Sequence, residues 1–139
     1  MKTWQGKWAV VTGASAGIGR AFCSELAAGG SNLVLVARRR DRLSELAAML
    51  SSKHSIKTEI CPADLAQPSG SEEIFAFTQG KGIDVDLLIN NAGFDAKANS
   101  VLEIVLHGSD HPDGLHEATL QLIPLLSHLP SRYCFRMAR

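Results

Sequence analysis

The sequence predicts an α/β fold, a parallel sheet wound by helices on both of its faces. Three observations predict it. Short apolar runs alternate with stripes of helical period over the first ninety or so residues, which is the pattern of successive βαβ units. The second and fourth runs are apolar on both faces, as strands covered on both sides should be. The first of them leads directly into a glycine-rich turn that opens a helix.

Taken in order, Trp8 to Thr12 reads as the first strand, and Ile18, Phe22 and Leu26 recur every four residues as the buried stripe of a first helix. Gly29-Gly30 can end that helix through a left-handed cap. Leu33 to Val36 is the second strand, and Leu43, Leu46, Ala47 and Leu50 line the second helix. Ile56 to Cys61 is the third strand, Ile74 and Phe77 face inward from a third helix, and Val85 to Asn90 is the fourth strand. With right-handed crossovers, residues 1–93 make the first half of a doubly wound sheet plus one strand.

Residues 94–139 read as a divergent tail of the same domain. Val101-Leu102 and Ile104 to Leu106 fit a short helix or a strand equally, because a brief apolar run carries no decisive period. Gly108 to Gly114 reads as a loop, and Leu115, Ala118, Leu122, Leu125 and Leu129 as a helical stripe that Pro124 kinks or shortens. No further strand is expected. The sheet is therefore incomplete, and its fourth strand should present an open edge to the tail, to a second copy or to another chain.

With 139 residues, of which 45% are hydrophobic, the chain can bury one core and is too short for two ordinary domains. Fourteen basic and fourteen acidic side chains cancel, which argues against a nucleic-acid partner or a membrane surface. The N-terminal residues lack the apolar stretch of a signal peptide, and no apolar run approaches membrane-spanning length. Cys23, Cys61 and Cys134 are odd in number, far apart and without metal-type pairing. A soluble, cytoplasmic protein with buried, inert thiols is expected.

The chemistry begins at Thr12 to Gly19, which reads TGASAGIG. Glycines let backbone N–H groups approach a phosphate closely, at the positive end of the following helix. The spacing is one residue wider at its start than the common dinucleotide fingerprint, yet a strand before it and a helix after it are the context that fingerprint requires. Arg38 stands at the end of the second strand, followed by Arg39 and Arg40. A carboxylate there would accept hydrogen bonds from the 2′-hydroxyl of NAD and repel a 2′-phosphate, whereas a guanidinium offers phosphate a planar fork of donors. NADP is expected over NAD. Asp41, the nearest acid, falls in the first turn of the second helix, where its charge suits the helix dipole.

TGASAGIG, the basic Arg38, Asp64-Leu65 after the third strand and Asn90-Asn91-Ala92-Gly93 after the fourth occur in an order that resembles the short-chain dehydrogenase/reductase family, in its NADP-preferring branch. The resemblance covers Lys7 to about Gly93. It implies a Rossmann-type site in which Gly13, Ser15, Gly17, Ile18 and Gly19 surround the pyrophosphate, Asp64 and Leu65 flank the adenine, and Asn90, Ala92 and Gly93 line the adenosine ribose side and steady the sheet centre. It also implies an oxidoreductase that moves hydride between a nicotinamide cofactor and an alcohol or carbonyl group.

The catalytic residues that the resemblance calls for are not found. Members use a tyrosine as acid and base, a lysine four residues later and a serine upstream. Here the one tyrosine is Tyr133, Met137 stands four residues on, and no lysine follows Lys97. Ser127 and Ser131 lie too near Tyr133 to sit on a separate strand, and the helical asparagine of the family would fall at Leu115. No catalytic residue is assigned, and the chain alone is expected to bind cofactor without turnover. The alternative is a non-catalytic interaction fragment that pairs its open edge with a full-length relative. His107, Asp110, His111, Asp113, His116 and Glu117 lie close together but without a recognised ligand spacing, so no metal site is assigned.

Overall fold

The computed structural model describes residues 4–15, 17–65, 67–90, 100–106 and 133–138. The elements run β1 (Trp8–Thr12), α1 (Gly17–Ala28), β2 (Asn32–Ala37), α2 (Arg40–His54), β3 (Thr58–Pro62), α3 (Gly70–Gly80), β4 (Val85–Asn90), β5 (Ser100–Leu106) and β6 (Tyr133–Ala138). They form one sheet in the order β3-β2-β1-β4-β5-β6. β1 pairs in parallel with β2 and with β4, and β2 in parallel with β3. The four strands and three helices expected before residue 93 are all present, so the fold is an incomplete Rossmann-type α/β sheet.

Strand alternation builds two cores. Ala9 and Val11 of β1, Leu33 and Leu35 of β2 and Leu87 and Ile89 of β4 face α1 and α2, where they meet Phe22, Cys23, Leu26, Leu43, Leu46 and Leu50. Val10, Val34, Val36 and Cys61 face the other way, and Ile74 and Phe77 of α3 pack on that side. Two crossovers stepping one way along the sheet and a third stepping back must lie on opposite faces if all share one hand. The four parallel strands are thus covered on both sides, and Phe22, Leu26, Leu43, Leu46 and Leu50 of the stripes read from the sequence are buried.

The local signals hold as well. Gly30 adopts φ 84, and the Gly30 N–H donates to the Ala27 carbonyl while that of Ser31 donates to Leu26. This paired pattern satisfies the last carbonyls of α1 and turns the chain into β2. At the start of β4 the register against β1 slips between Trp8 and Ala9. There the Trp8 N–H donates to the Asp86 carboxylate at 3.0 Å, so the donor displaced from the ladder keeps a partner.

Two expectations are corrected. The outer edge of β4 is not open: β5 pairs with it antiparallel, Leu87 opposite Leu106 through Asn90 opposite Glu103. An antiparallel partner needs only a returning loop, whereas a parallel one needs a crossover element, so the next apolar segment in sequence can fill the edge. The undecided run at Val101 to Leu106 is accordingly a strand. A further strand also exists, because β6 pairs in parallel with β5 from Ser100 opposite Tyr133 to Val105 opposite Ala138. The edges of the described sheet are β3 and β6. On β3, Pro62 ends the strand and Glu59 pairs with Lys81 at 3.5 Å, features that discourage strand addition. The helical stripe expected at Leu115 to Leu129 lies outside the described residues.

The thiols follow their surroundings. Cys23 is fully buried in the α1 side of the core, and burial pushes its pKa from 9.0 up to about 12. Burial also raises the Cys61 thiol, with a smaller contribution from the nearby Glu73 carboxylate. A thiol that ionises less readily in the folded state stabilises the fold fully below its unfolded pKa and progressively less above it. Urea unfolding should therefore show stability falling from about pH 9 upward, by about 1.4 kcal/mol per pH unit for each such proton. Cys23→Ala should flatten that decline while lowering stability at neutral pH through the lost sulfur. An identical alkaline slope in the variant would contradict the placement of Cys23.

Candidate functional site

The register of the parallel strands decides which residues can act together. Thr12 lies opposite Val36, Val36 opposite Cys61, and Val11 opposite Ile89. The residues that follow these positions therefore leave the sheet side by side at one end: Gly13 after β1, Arg38 after β2, Asp64 after β3 and Asn90 at the end of β4. Backbone hydrogen bonds carry the alignment past the strands, from the Ala14 N–H to the Val36 carbonyl at 3.1 Å and from the Ala63 N–H to the Ala37 carbonyl at 3.0 Å. Strand order reverses at β1, with β2 on one side and β4 on the other. The carboxyl ends at such a reversal are where open α/β sheets bind ligands.

The glycine loop fits a close anionic guest. Gly13 has φ 66 and Gly17 φ 57, the left-handed region that costs an ordinary residue strain. A Cβ built on Gly17 would meet nothing within 4 Å, so the exposed backbone at the start of α1 is open to a ligand. The first turn of α1 holds no acidic side chain to offset the positive end of the helix dipole. Ser15 is half-buried between the two glycines, and Gly19 is buried within α1. The backbone of Ile18 belongs to the first turn of the same helix.

Arg38 is exposed, and the ion pairs among the described residues, Lys7 with Asp86 and Lys81 with Glu59, do not involve it. Arg39 is the extended residue before α2, Arg40 its first residue, and Asp41 falls in its first turn as expected. Asp64 and Leu65 are half-buried in the turn beyond β3, where the Asp64 carbonyl accepts the Gln67 N–H at 3.1 Å. Asn90 is tied to β1: the Thr12 hydroxyl, on a buried residue, donates to the Asn90 Oδ1 at 3.0 Å and reaches the Ile89 carbonyl at 3.5 Å. Ala92 and Gly93 lie outside the described residues. So do the polar segment from His107 to Glu117 and the serines 127 and 131. Among the described residues no cluster of His, Cys, Asp or Glu could hold a metal ion, and no helix is long and apolar enough to cross a membrane.

One residue of this end escaped the sequence reading. Gly70, the first residue of α3, is buried against the backbone of the Asp64-Leu65 turn, and a Cβ on it would lie 2.5 Å from the Asp64 carbonyl oxygen. The sequence signal was a glycine among Pro68, Ser69 and Ser71, indistinguishable from ordinary loop punctuation. At the other end of the chain, Tyr133 begins β6. In an extended strand, positions 133 and 137 are about 13 Å apart along the backbone, against about 6 Å for residues one helical turn apart. Tyr133 and Met137 thus lie on an extended segment and not on one helical turn.

Comparison with known proteins agrees with this arrangement. Residues 7–107 match the short chain dehydrogenase family. A 7beta-hydroxysteroid dehydrogenase of Collinsella aerofaciens is 41% identical over 75 residues, covering 54% of this chain and 28% of that protein. A very-long-chain 3-oxoacyl-CoA reductase of Pyricularia oryzae is 46% identical over 90 residues, covering 64% of this chain and 27% of that one. Among solved structures, L-sorbose reductase of Gluconobacter frateurii, in complex with NADPH and L-sorbose, superposes with TM-score 0.64 at 37% identity, over 69% of this chain and 37% of that one. The match thus spans little more than a quarter of the length of these two curated relatives.

The Thr12 hydroxyl joins β1 to β4 at the strand-order reversal, so its loss should be felt there. Thr12→Val keeps the shape and leaves a half-buried amide oxygen without that donor, which should cost about 1–2 kcal/mol in urea unfolding. Thr12→Ser should retain most of the stability. Equal stability of the valine variant and the parent chain would show that the hydrogen bond contributes nothing.

Proposed function

The chain belongs to the short-chain dehydrogenase/reductase family, and on that premise we propose that it holds NADP(H) across the ends of β1, β2, β3 and β4 without turning it over alone. The observation that carries this reading is the exposed Arg38, outside the ion pairs among the described residues, near the left-handed Gly13 and Gly17, the latter with open space where a Cβ would stand. In this reading Gly13, Ser15, Gly17, Ile18 and Gly19 receive the pyrophosphate. Arg38 binds the 2′-phosphate, Asp64 and Leu65 flank the adenine, and Asn90, Ala92 and Gly93 line the ribose. When bound, the nicotinamide group gives or takes the hydride by which family members interconvert alcohols and carbonyls. The NADPH held by the sorbose reductase supports the same cofactor here.

What the chain's own residues do is bind and orient. Backbone N–H groups of the loop offer donors at fixed positions without reorganising, and Arg38 adds a charge-assisted fork. An acid–base pair for the hydride step is not assigned, since Tyr133 lacks a lysine four residues on and stands on an extended strand. The alternative of a fragment pairing through an open β4 loses its motive, because β5 fills that edge.

Calorimetric titration should show NADPH binding more tightly than NADH. Losing a charge-assisted contact to phosphate costs about 1.5–3 kcal/mol, so Arg38→Asp should weaken NADPH about tenfold or more and spare NADH. Equal affinities of the parent chain for the two cofactors would contradict the assignment of Arg38. The isolated chain should also leave NADPH unoxidised with small aldehydes and ketones. Steady oxidation that disappears in Tyr133→Phe would show that a working acid–base site exists after all.

A further inference from the structure

The turn that carries Asp64 and Leu65 is held between two fixed walls. On one side it continues β3: the Ala63 N–H bonds to the Ala37 carbonyl at 3.0 Å, and Ala63 belongs with Cys61 and Val36 to the core on the α3 face of the sheet. On the other side stands α3, which Ile74 and Phe77 anchor to that same core. Between the walls the chain makes two successive tight turns, with the Gln67 N–H donating to the Asp64 carbonyl and the Gly70 N–H to the Gln67 carbonyl, each at 3.1 Å.

Gly70 closes this arrangement. A Cβ at that position would sit 2.5 Å from the Asp64 carbonyl oxygen, 2.8 Å from the Leu65 Cα and 3.1 Å from the Asp64 carbonyl carbon. All three are backbone atoms, so no side-chain rotation relieves the overlap. Its effect differs from that of a glycine needed for a left-handed turn, since Gly70 is absent from the positive-φ positions. Moving α3 outward would uncover Ile74 and Phe77, while moving the turn displaces only Asp64 and Leu65. The turn is the part that yields.

We propose that Gly70 is a positioning residue for base recognition: by letting α3 close on the Asp64-Leu65 backbone, it sets where these two residues meet the adenine of the cofactor. The inference rests on the reading of Asp64 and Leu65 given above. If it holds, Gly70→Ala shifts the Asp64 carboxylate away from the exocyclic amino group it is to accept from. Discrimination against a base that carries a carbonyl in place of that amino group then falls. Gly80 supplies the control, because it lies in the same helix and a Cβ there meets nothing within 4 Å.

The test measures the affinities of the full chain for NADPH and for nicotinamide hypoxanthine dinucleotide phosphate in the parent protein, Gly70→Ala and Gly80→Ala, with thermal melts alongside. The parent and Gly80→Ala should favour NADPH, whereas Gly70→Ala should lose about tenfold or more in NADPH affinity and most of that preference. A merely structural role would lower the melting temperature without changing the ratio of the two affinities. An unchanged ratio in Gly70→Ala, or a parent chain that binds NADPH without preferring it, overturns the inference while leaving the cofactor reading in place. A parent chain that binds neither nucleotide overturns the cofactor reading and the inference together. Should Gly70→Ala fail to fold, hydrogen exchange on the parent chain decides: saturating NADPH should slow the Gln67 and Gly70 amides more than those of α2, and equal protection overturns the proposal.

Discussion

Everything at the candidate site depends on β1 being paired on both sides and covered on both faces. Ala9 and Val11 are buried against α1 and α2, Val10 against the α3 side, and β2 and β4 flank the strand in parallel. A strand so enclosed has no freedom to slip, because a shift of one residue would exchange its two apolar faces and unmake both ladders. Its carboxyl end is a fixed point. The loops after β1, β2 and β3 and the end of β4 are therefore delivered to one end of the sheet by the packing of the core.

From that fixed point the electrostatics follow simply. The loop between β1 and α1 brings the start of a helix, with no acidic side chain in its first turn, to this end of the sheet, while an exposed arginine follows β2. Both features favour an anion, and they do so from neighbouring strands. The Thr12 hydroxyl holds Asn90 at 3.0 Å, across the point where strand order reverses. Gly70 lies against the Asp64-Leu65 backbone, where a Cβ would stand 2.5 Å from the Asp64 carbonyl oxygen. The start of α1, a guanidinium, a buried hydroxyl and a glycine packed on backbone thus lie at the same end of the sheet.

The first four strands and three helices were legible because each carries its own period: two-faced apolar runs for β1, β2 and β4, and Leu43, Leu46 and Leu50 for α2. Arg38, Asp64 and Asn90 were legible as positions because strand ends are easy to locate once strands are. β5 was not, since Val101 to Leu106 is too short a run for a period to choose between helix and strand, and its register against β4 is a tertiary fact. β6 was missed although Tyr133 and Phe135 alternate in a strand-forming manner, because its pairing partner is another strand of undecided identity. Gly70 shows the limit most clearly. Its role lies in the distance to a backbone turn several residues away, and a glycine among serines reads the same whether or not anything stands beside it.

The central claim is that the ends of the four parallel strands form one cradle for an adenine nucleotide carrying a 2′-phosphate. Amide chemical-shift mapping of the ¹⁵N-labelled chain with adenosine 2′,5′-bisphosphate tests it most directly. Shifts should concentrate at Gly13 to Gly19, Arg38, the Asp64-Leu65 turn and Asn90, and Arg38→Asp should reduce them throughout. Shifts confined to β5 and β6, or none at millimolar nucleotide in a folded chain, would contradict it.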